Sequence, residues 1–229
     1  TPCGTLFPYT TLFRSLSVKL ADIFSEKLVT EGFPQVSAEF TARYREESAE
    51  VSLDVQRGEK GKLKARGKVP VRISGQGVSL IRGKKISGSA SGTMDIAGLG
   101  TYLPFPGFFT QGELHVKVSA DGTAVAPDVS GTITVSDAVY QNIRRGVAIR
   151  ALSFTVSGNR DRFILDSLSG SDGGDGRLSG SGEVRLRAKK NFPFKTSLSF
   201  ESMRVLRTKT AEVSVSGEIT LSGDLKRSE

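Results

Sequence analysis

A regular alternation of side chains between residues 129 and 136 is the feature that most constrains this chain. Apolar or small residues occupy the odd positions, and hydroxylated residues occupy the even ones, from Val129 to Ser136. Successive side chains of a β-strand point to opposite faces, so a period of two predicts one apolar face and one hydrated face. We therefore expect a sheet built from strands of this kind.

The same short phrase recurs along the chain and predicts repeated strands. It begins at Ser91, Ser130, Ser181 and Ser216, each followed by glycine. The glycines are 39, 51 and 35 residues apart, whereas a solenoid would keep one period. The chain has 26 glycines in 229 residues, 7% aromatic residues and no tryptophan, so its strands carry small side chains that favour a sheet over a thick packed interior.

The connections between alternating segments predict an antiparallel meander. They are mostly short enough for hairpins, whereas a parallel crossover needs about a dozen residues. Roughly fourteen strands, about 4.8 Å apart, would form a sheet on the order of 65 Å long. Open twisted sheets seldom stay flat beyond about ten strands. The predicted fold class is all-β: a long, curled antiparallel sheet forming an open trough, with one or two short helices.

Two segments depart from the simple alternation. Residues 16–20 predict a strand, but residues 20–28 carry apolar side chains at helical spacing, which predicts a short helix lying on the sheet. Between Val147 and Val156 the alternation changes phase by one residue. Such a slip is typical of a β-bulge, which bends a sheet.

An aromatic segment between residues 97 and 110 interrupts the strands. Its prolines make it too broken to span a bilayer, and its side chains are too apolar for a free loop. It is either a connection packed on the sheet or a helical plug that contacts lipid inside a groove. The plug residues would be Leu99, Tyr102, Leu103, Phe105, Phe108 and Phe109.

The net charge of +8 and the isoelectric point near 9.7 favour anionic partners such as lipid head groups, lipopolysaccharide or nucleic acid. The cations are densest between Arg57 and Lys85, where alternation would place them on the hydrated face. A solvated outer surface is the simplest interpretation. No aromatic residues are interleaved with these cations as stacking platforms, so we expect no nucleic-acid partner.

The first fifteen residues show neither alternation nor a helical stripe. They resemble translated adapter sequence, and we expect residues 1–15 to be a disordered, non-native addition. Residues 16–229 are expected to form a single continuous β segment. The one cysteine, Cys3, allows no intramolecular disulfide. No stretch reaches the roughly 18 apolar residues of a membrane helix, so we expect any anchor to lie outside this chain.

The residues that catalysis or metal binding needs are scarce. The single histidine, His115, falls in the middle of a predicted strand, with no nucleophile motif near any serine. Residues 172–176 resemble a calcium loop only faintly and read better as a hairpin turn. A polysaccharide-cleaving β-helix would need a cluster of carboxylates, which is not evident. We expect no enzymatic activity, no cofactor and no metal.

A curled sheet of this composition could leave a dry groove, because Val, Ala and Gly are too small to fill it. A sixteen-carbon acyl chain buried there could gain roughly 10 kcal/mol at the upper limit. The alternative from composition is a closed sandwich without ligand. The predicted groove residues are Val51, Leu53, Val55, Leu114, Val116, Val118, Ile133, Val135, Leu152, Phe154, Val156, Val184, Leu186, Leu198, Phe200, Val213, Val215, Ile219 and Leu221.

Several stretches, taken in order, resemble the TamB family, which belongs with the AsmA-like bridge proteins. The similarity extends less specifically through residues 36–73, and in all over about residues 16–229. The stretches that carry it are residues 114–123, 126–140, 146–149, 152–154, 169–184 and 192–194.

This resemblance implies a periplasmic trough with an apolar interior, in a protein anchored to the inner membrane. It also implies an outer-membrane β-barrel partner, TamA, bound through a part of the protein outside this chain. Family members are implicated in phospholipid transport toward the outer membrane and in the assembly and secretion of proteins there. The function predicted is a segment of a lipid conduit that binds acyl chains. The alternative is a structural or adhesive β array, similar to an autotransporter passenger, without ligand.

Overall fold

The computed structural model describes residues 15–20, 36–59, 61–74, 77–97, 108–123, 125–142, 146–186, 191–207 and 210–224. These ranges contain thirteen strands, close to the predicted number. The strands are β1 (Ser15–Leu20), β2 (Val36–Arg45), β3 (Ser48–Arg57), β4 (Gly61–Ser74), β5 (Gly77–Leu80), β6 (Ser87–Asp95), β7 (Phe108–Thr123), β8 (Ala126–Asn142), β9 (Val147–Arg160), β10 (Arg162–Ser171), β11 (Arg177–Arg185), β12 (Phe194–Arg207) and β13 (Glu212–Gly223).

The strands pair in sequence order into one antiparallel sheet, which confirms the predicted meander. Only β5 lies off the path, because β4 pairs with β6 along residues 62–68 and with β5 along residues 71–74. Twelve strands follow the main path. At about 4.8 Å per interval they extend over roughly 53 Å.

Strand β4 continues through Pro70 to Ser74. The backbone stays extended there because groups on both sides of the proline are paired. The N–H of Val71 donates to the Glu47 carbonyl at 2.9 Å, and the Pro70 carbonyl accepts from the N–H of Ile81 at 2.9 Å. A proline lacks only its own N–H, so a strand can pass through it where that donor is not needed.

The sheet is open and curled, as predicted. Strands β9 and β12 come into contact although β10 and β11 lie between them. A compact cluster of buried apolar side chains sits inside this curl, and we call it the core cluster. Its members are Ile96, Val135, Ala138, Leu152, Leu178 and Met203.

The predicted bulge is confirmed at Ala151, where the register between β8 and β9 shifts and φ is 46°. Further shifts follow at Asp137, with φ 49°, and at Ser202, with φ 46°. The freed N–H of Asp137 donates to Ser153 Oγ, and that of Ser202 donates to Ser216 Oγ. Bulges increase local bending and twist, which is how this sheet curls without breaking its pairing.

The one or two short helices expected beside the sheet do not occur in the described ranges. Residues 16–20 lie in β1, as predicted. The rest of the helical prediction, residues 21–28, lies outside the described part of the chain.

Three of the four glycines in the repeated phrase have backbone conformations that suit glycine. Gly92, Gly131 and Gly217 have φ values of 147°, 108° and 150°. At Gly131 a Cβ atom would overlap the carbonyl oxygen of Lys117, and at Gly92 it would overlap that of Lys62. These two positions admit no side chain, because neighbouring strands approach too closely there.

The substitution Gly131→Ala should lower the free energy of unfolding by about 1–3 kcal/mol, because it forces a side chain into a positive-φ position against a carbonyl. Urea denaturation measures this. The control Gly67→Ala, where a Cβ would meet Val51 Cγ2 at 3.4 Å, should be neutral or slightly stabilising. Equal losses for the two variants would contradict this account of the phrase.

Truncation of the core cluster should be far more costly than truncation at the sheet edge. Met203 is 2% exposed, whereas Val215, its partner across the β12–β13 pair, is 39% exposed. Met203→Ala should lower the free energy of unfolding by about 2–5 kcal/mol. Val215→Ala should change it by no more than about 0.5 kcal/mol. Similar losses would show that the cluster does not hold the curl together.

Candidate functional site: the apolar inner face

One continuous row of side chains crosses the sheet from β2 to β13. Directly opposed residues of antiparallel strands share a face, so the register defines which residues line it. The row contains Ala38, Val55, Leu63, Gly92, Val116, Ile133, Val156, Leu165, Gly182, Thr196 and Leu221. Thr196 is its one polar member. The core cluster belongs to the same side of the sheet, so this apolar face is the inside of the curl.

The pairing places the predicted groove residues of all strands on this inner face. Val51, Leu53 and Val55 point inward from β3, and the predicted residues of β7, β8, β9, β11, β12 and β13 are in register with them. Leu186 lies just beyond β11, and its N–H donates to the Asp161 carbonyl. The bulges preserve this arrangement, because each extra residue restores the phase of the apolar positions that follow.

The inner face is filled along only part of its width. Val135 and Leu152 are buried in the core cluster, whereas Val116, Ile133 and Phe154 keep intermediate exposure. Within the described ranges, no large side chain is completely buried. The sheet therefore curls round a small core without closing into a packed sandwich.

An apolar cavity of about 350 Å³ lies on the inner face between β9 and β12. This volume is at the lower end of the range of small-molecule sites, about 300–1,000 Å³. It brings together the predicted residues Phe154, Val156 and Val184. Its other lining residues were not predicted, and they are Phe163, Leu165, Leu168, Gly182, Glu183 and Thr196.

Two of the lining residues that the sequence did not predict, Leu165 and Leu168, lie on either side of a bulge in β10. Leu165 pairs with Val156 and Leu168 pairs with Phe154, so two inward residues are separated by three positions. Alternation read along the sequence would place Leu168 on the opposite face from Leu165. The signal that could have found Leu168 is its size, since it stands alone among polar residues.

Strand β13 leaves its inward side chains uncovered at the edge of the sheet. Val213, Val215, Ile219 and Leu221 are 43%, 39%, 47% and 51% exposed. Phe40, near the opposite edge, is 36% exposed. The apolar face therefore continues to both ends of the described sheet and is not closed off there.

The placement of Arg57 corrects the expectation that all cations between residues 57 and 85 lie on the hydrated face. Arg57 is in phase with Val55 and is only 4% exposed. Its guanidinium donates from Nη1 to the Asp95 carbonyl at 3.0 Å. It lines a cavity of about 780 Å³ with Met94, Gln111 and Asp137 among others. A buried cation on an apolar wall is tolerated because it is hydrogen-bonded there.

Most of the predicted plug lies outside the described residues, namely Leu99, Tyr102, Leu103 and Phe105. Phe108 and Phe109 are the first residues of β7, so these two belong to a strand and not to a helix. The rings of Phe109 and Tyr140 contact each other edge to face, with their centroids 5.7 Å apart. Both residues pack against the core cluster.

The polar residues singled out from the sequence occupy structural positions. His115 is exposed on the outer face, where its ring nitrogens lie 3.1 Å from Thr93 Oγ1 and 3.2 Å from Glu113 Oε2. No group of three or more His, Cys, Asp or Glu side chains suited to a metal occurs among the described residues. The same part of the chain contains no helix able to cross a membrane.

Asp172 organises the turn between β10 and β11 and ties it to β12. Its carboxylate accepts the N–H groups of Gly174 at 2.7 Å, Gly176 at 3.2 Å and Arg204 at 3.1 Å. The hydrogen bond from Gly174 is the main cause of a lowered pKa for Asp172, with further contributions from Arg204 and Gly176. The turn is thus a hairpin turn held by its aspartate, as predicted.

Because the pKa of Asp172 is lowered on folding, its carboxylate stabilises the fold above its ordinary pKa of 3.8, and this contribution is lost as the pH falls through the lowered value. When the pH is lowered from about 6 to about 3, the free energy of unfolding should therefore fall less in the Asp172→Asn variant than in the unchanged protein. Denaturant titrations at both pH values measure this. The control Asp175→Asn, an exposed residue of the same turn, should retain the full acid sensitivity. Identical acid sensitivity in Asp172→Asn would contradict the assignment.

The fold and its inner face define a class: a groove-forming protein made of one long, open, curled β-sheet with an apolar wall. Residues 166–229 match the family model described as the TamB C-terminal domain. The match confirms the resemblance to the TamB family predicted from the sequence. Proteins of that family are inner-membrane-anchored, periplasmic subunits of the translocation and assembly module. Interaction with a TamA-like outer-membrane protein is a property of that family. Neither the curated proteins nor the solved structures give a match to this chain.

Proposed function

We propose that this chain is a segment of a periplasmic lipid conduit that holds acyl chains along its inner face and catalyses no reaction. The observation that carries the proposal is the row that continues from Ala38 to Leu221 across eleven strands, with one polar member. A hydrocarbon chain needs an apolar path without directional contacts, and this row supplies one. It runs perpendicular to the strands, along the length of the sheet.

The energetics favour an elongated apolar ligand over a compact one. Side chains such as Val116, Ile133 and Phe154 remain partly exposed on the concave wall, and a hydrocarbon would remove them from water. Each buried CH₂ contributes about 0.8 kcal/mol, so affinity would grow with the length of chain accommodated. The cavity beside Phe154 and Leu168 would hold part of such a chain. Its polar head group would remain at the open side.

In the parent protein, this segment would lie in the periplasm, with its anchor in the inner membrane and a TamA-like partner at the outer membrane. The transfer of phospholipid between the two membranes would support outer-membrane biogenesis and the secretion that depends on it. Residues 16–229 would form one continuous segment of this conduit, and residues 1–15 would not belong to it. No nucleic acid takes part.

A photocrosslinking amino acid placed on alternate faces tests the proposal. Probes at Val116, Ile133, Phe154 and Ile219 should capture phospholipid, because these residues line the inner face. Probes at Lys117 and Thr134, on the outer face of the same strands, should capture little. Lipid adducts are measured by mass spectrometry of the crosslinked protein.

Two results would count against a conduit. Equal labelling on both faces would indicate adsorption and not a groove. Absence of lipid adducts, together with native mass spectra free of bound lipid after gentle extraction, would favour the structural or adhesive β array. The substitution Phe154→Asp provides a matched control, because it should reduce capture by the neighbouring Ile133 probe, whereas Thr155→Asp on the outer face should not.

A further inference from the structure

The outer face of β4 carries a cation at every second position from Lys62 to Lys68. Lys62, Lys64, Arg66 and Lys68 alternate with the inward residues Leu63, Ala65 and Gly67. Successive residues on one face of a strand lie about 6.7 Å apart. The result is a straight row of four cations on the side of the sheet opposite the groove.

Two of these cations are neutralised by the neighbouring strand, and two are not. Lys64 Nζ lies 3.5 Å from Asp54 Oδ1, and Lys68 Nζ lies 3.1 Å from Glu50 Oε1. Arg66 faces Ser52 on β3 and Ser89 on β6, and Lys62 faces Gln56 and Thr93. The residues directly opposite Arg66 and Lys62 are therefore neutral hydrogen-bonding groups, which leaves both charges available.

The more distant cations near the end of β4 are already paired. Glu47 accepts from Lys84 Nζ at 2.8 Å and from Arg72 Nη2 at 3.1 Å. The hydrogen bond from Lys84 is the main cause of its lowered pKa. Arg72 and Lys84 are thus neutralised by Glu47, whereas Arg66 and Lys62 have no carboxylate opposite them.

A shallow groove of about 580 Å³ lies beside Arg66 on the outer surface of β2, β3, β4 and β6. Arg43, Arg66 and Lys68 supply its cationic groups, and Glu50, which is paired with Lys68, supplies its carboxylate. Thr41, Ser52, Ser87 and Ser89 supply hydroxyl groups, and Val51, Gly67 and Gly88 make up the rest of the lining. Guanidinium, ammonium and hydroxyl donors together are the set that phosphate oxygens accept from.

We propose that the outer face of β4, from Lys62 to the basic groove at Arg66, binds the phosphate head groups of an anionic lipid surface. The cations are exposed, and a single exposed ion pair contributes little, so one free phosphate would be held weakly. A lipid surface presents many phosphates at once, and each nearby Lys or Arg then adds to the attraction. Nucleic acid is disfavoured because no Phe, Tyr or Trp points outward from the described parts of β2 to β6 to stack on bases.

Co-sedimentation of the full chain with lipid vesicles tests the proposal. Vesicles that contain phosphatidylglycerol should bind the chain, and pure phosphatidylcholine vesicles should bind it much less. The double substitution Lys62→Ser/Arg66→Ser should weaken partitioning roughly thirty-fold, which corresponds to about 1 kcal/mol for each of two residues. Circular dichroism checks folding, and Arg66→Gln alone serves as a milder variant of similar side-chain length.

The control Arg177→Ser/Lys195→Ser removes the same charge from exposed outer positions on β11 and β12. It should leave binding within about two-fold of the unchanged chain. Equal weakening by both double variants would overturn the proposal, since net charge alone would explain it. Saturable binding of inorganic phosphate or single-stranded RNA at the same residues, without vesicle binding, would overturn it as well. Because the variants leave the inner face intact, lipid capture by the Ile133 probe should persist whichever result is obtained.

Discussion

The structure depends on cross-strand register that stays in phase over the whole sheet. An antiparallel pair keeps opposed residues on one face, and a slip of one residue would move every apolar side chain of a strand to the other face. Twelve strands maintain this agreement along one path. The inner face therefore becomes a single wall, and the outer face collects the charges and hydroxyls. Both proposed binding surfaces are consequences of that separation.

Curvature is the second requirement, and it comes from backbone positions and not from the size of the core. Asp137, Ala151 and Ser202 adopt positive φ values at register shifts, and serine hydroxyls on adjacent strands accept the N–H groups freed at Asp137 and Ser202. The sheet thus bends while its polar groups remain satisfied. The core cluster around Ala138 and Met203 forms where this bending brings strands together. Elsewhere the inward side chains, such as Val116 and Ile133, stay partly exposed and the groove remains open.

The two faces suit different parts of one amphipathic ligand class. The inner row, from Ala38 to Leu221, offers an apolar path with one polar member. The outer groove beside Arg66 offers cationic and hydroxyl donors. Lys64 and Lys68 form ion pairs with Asp54 and Glu50. The number of cations in the sequence therefore overstates the positive charge of the surface. On β4, the charges of Lys62 and Arg66 remain available because serine, threonine or glutamine, and no carboxylate, lies opposite them.

The sequence by itself determined the strands, the antiparallel order, the bulge at Ala151 and the identity of the inner wall, because a period of two is a local property that needs no tertiary information. The resemblance to the TamB family was also readable, since it rests on an ordered series of motifs. Only the tertiary structure decided what depends on non-local pairing. It buried Arg57 beside the Asp95 carbonyl, carried β4 through Pro70 and brought Leu168 into the cavity through a bulge. Which cations were paired was likewise decided between strands, because Asp54 and Glu50 meet β4 only after the register is set.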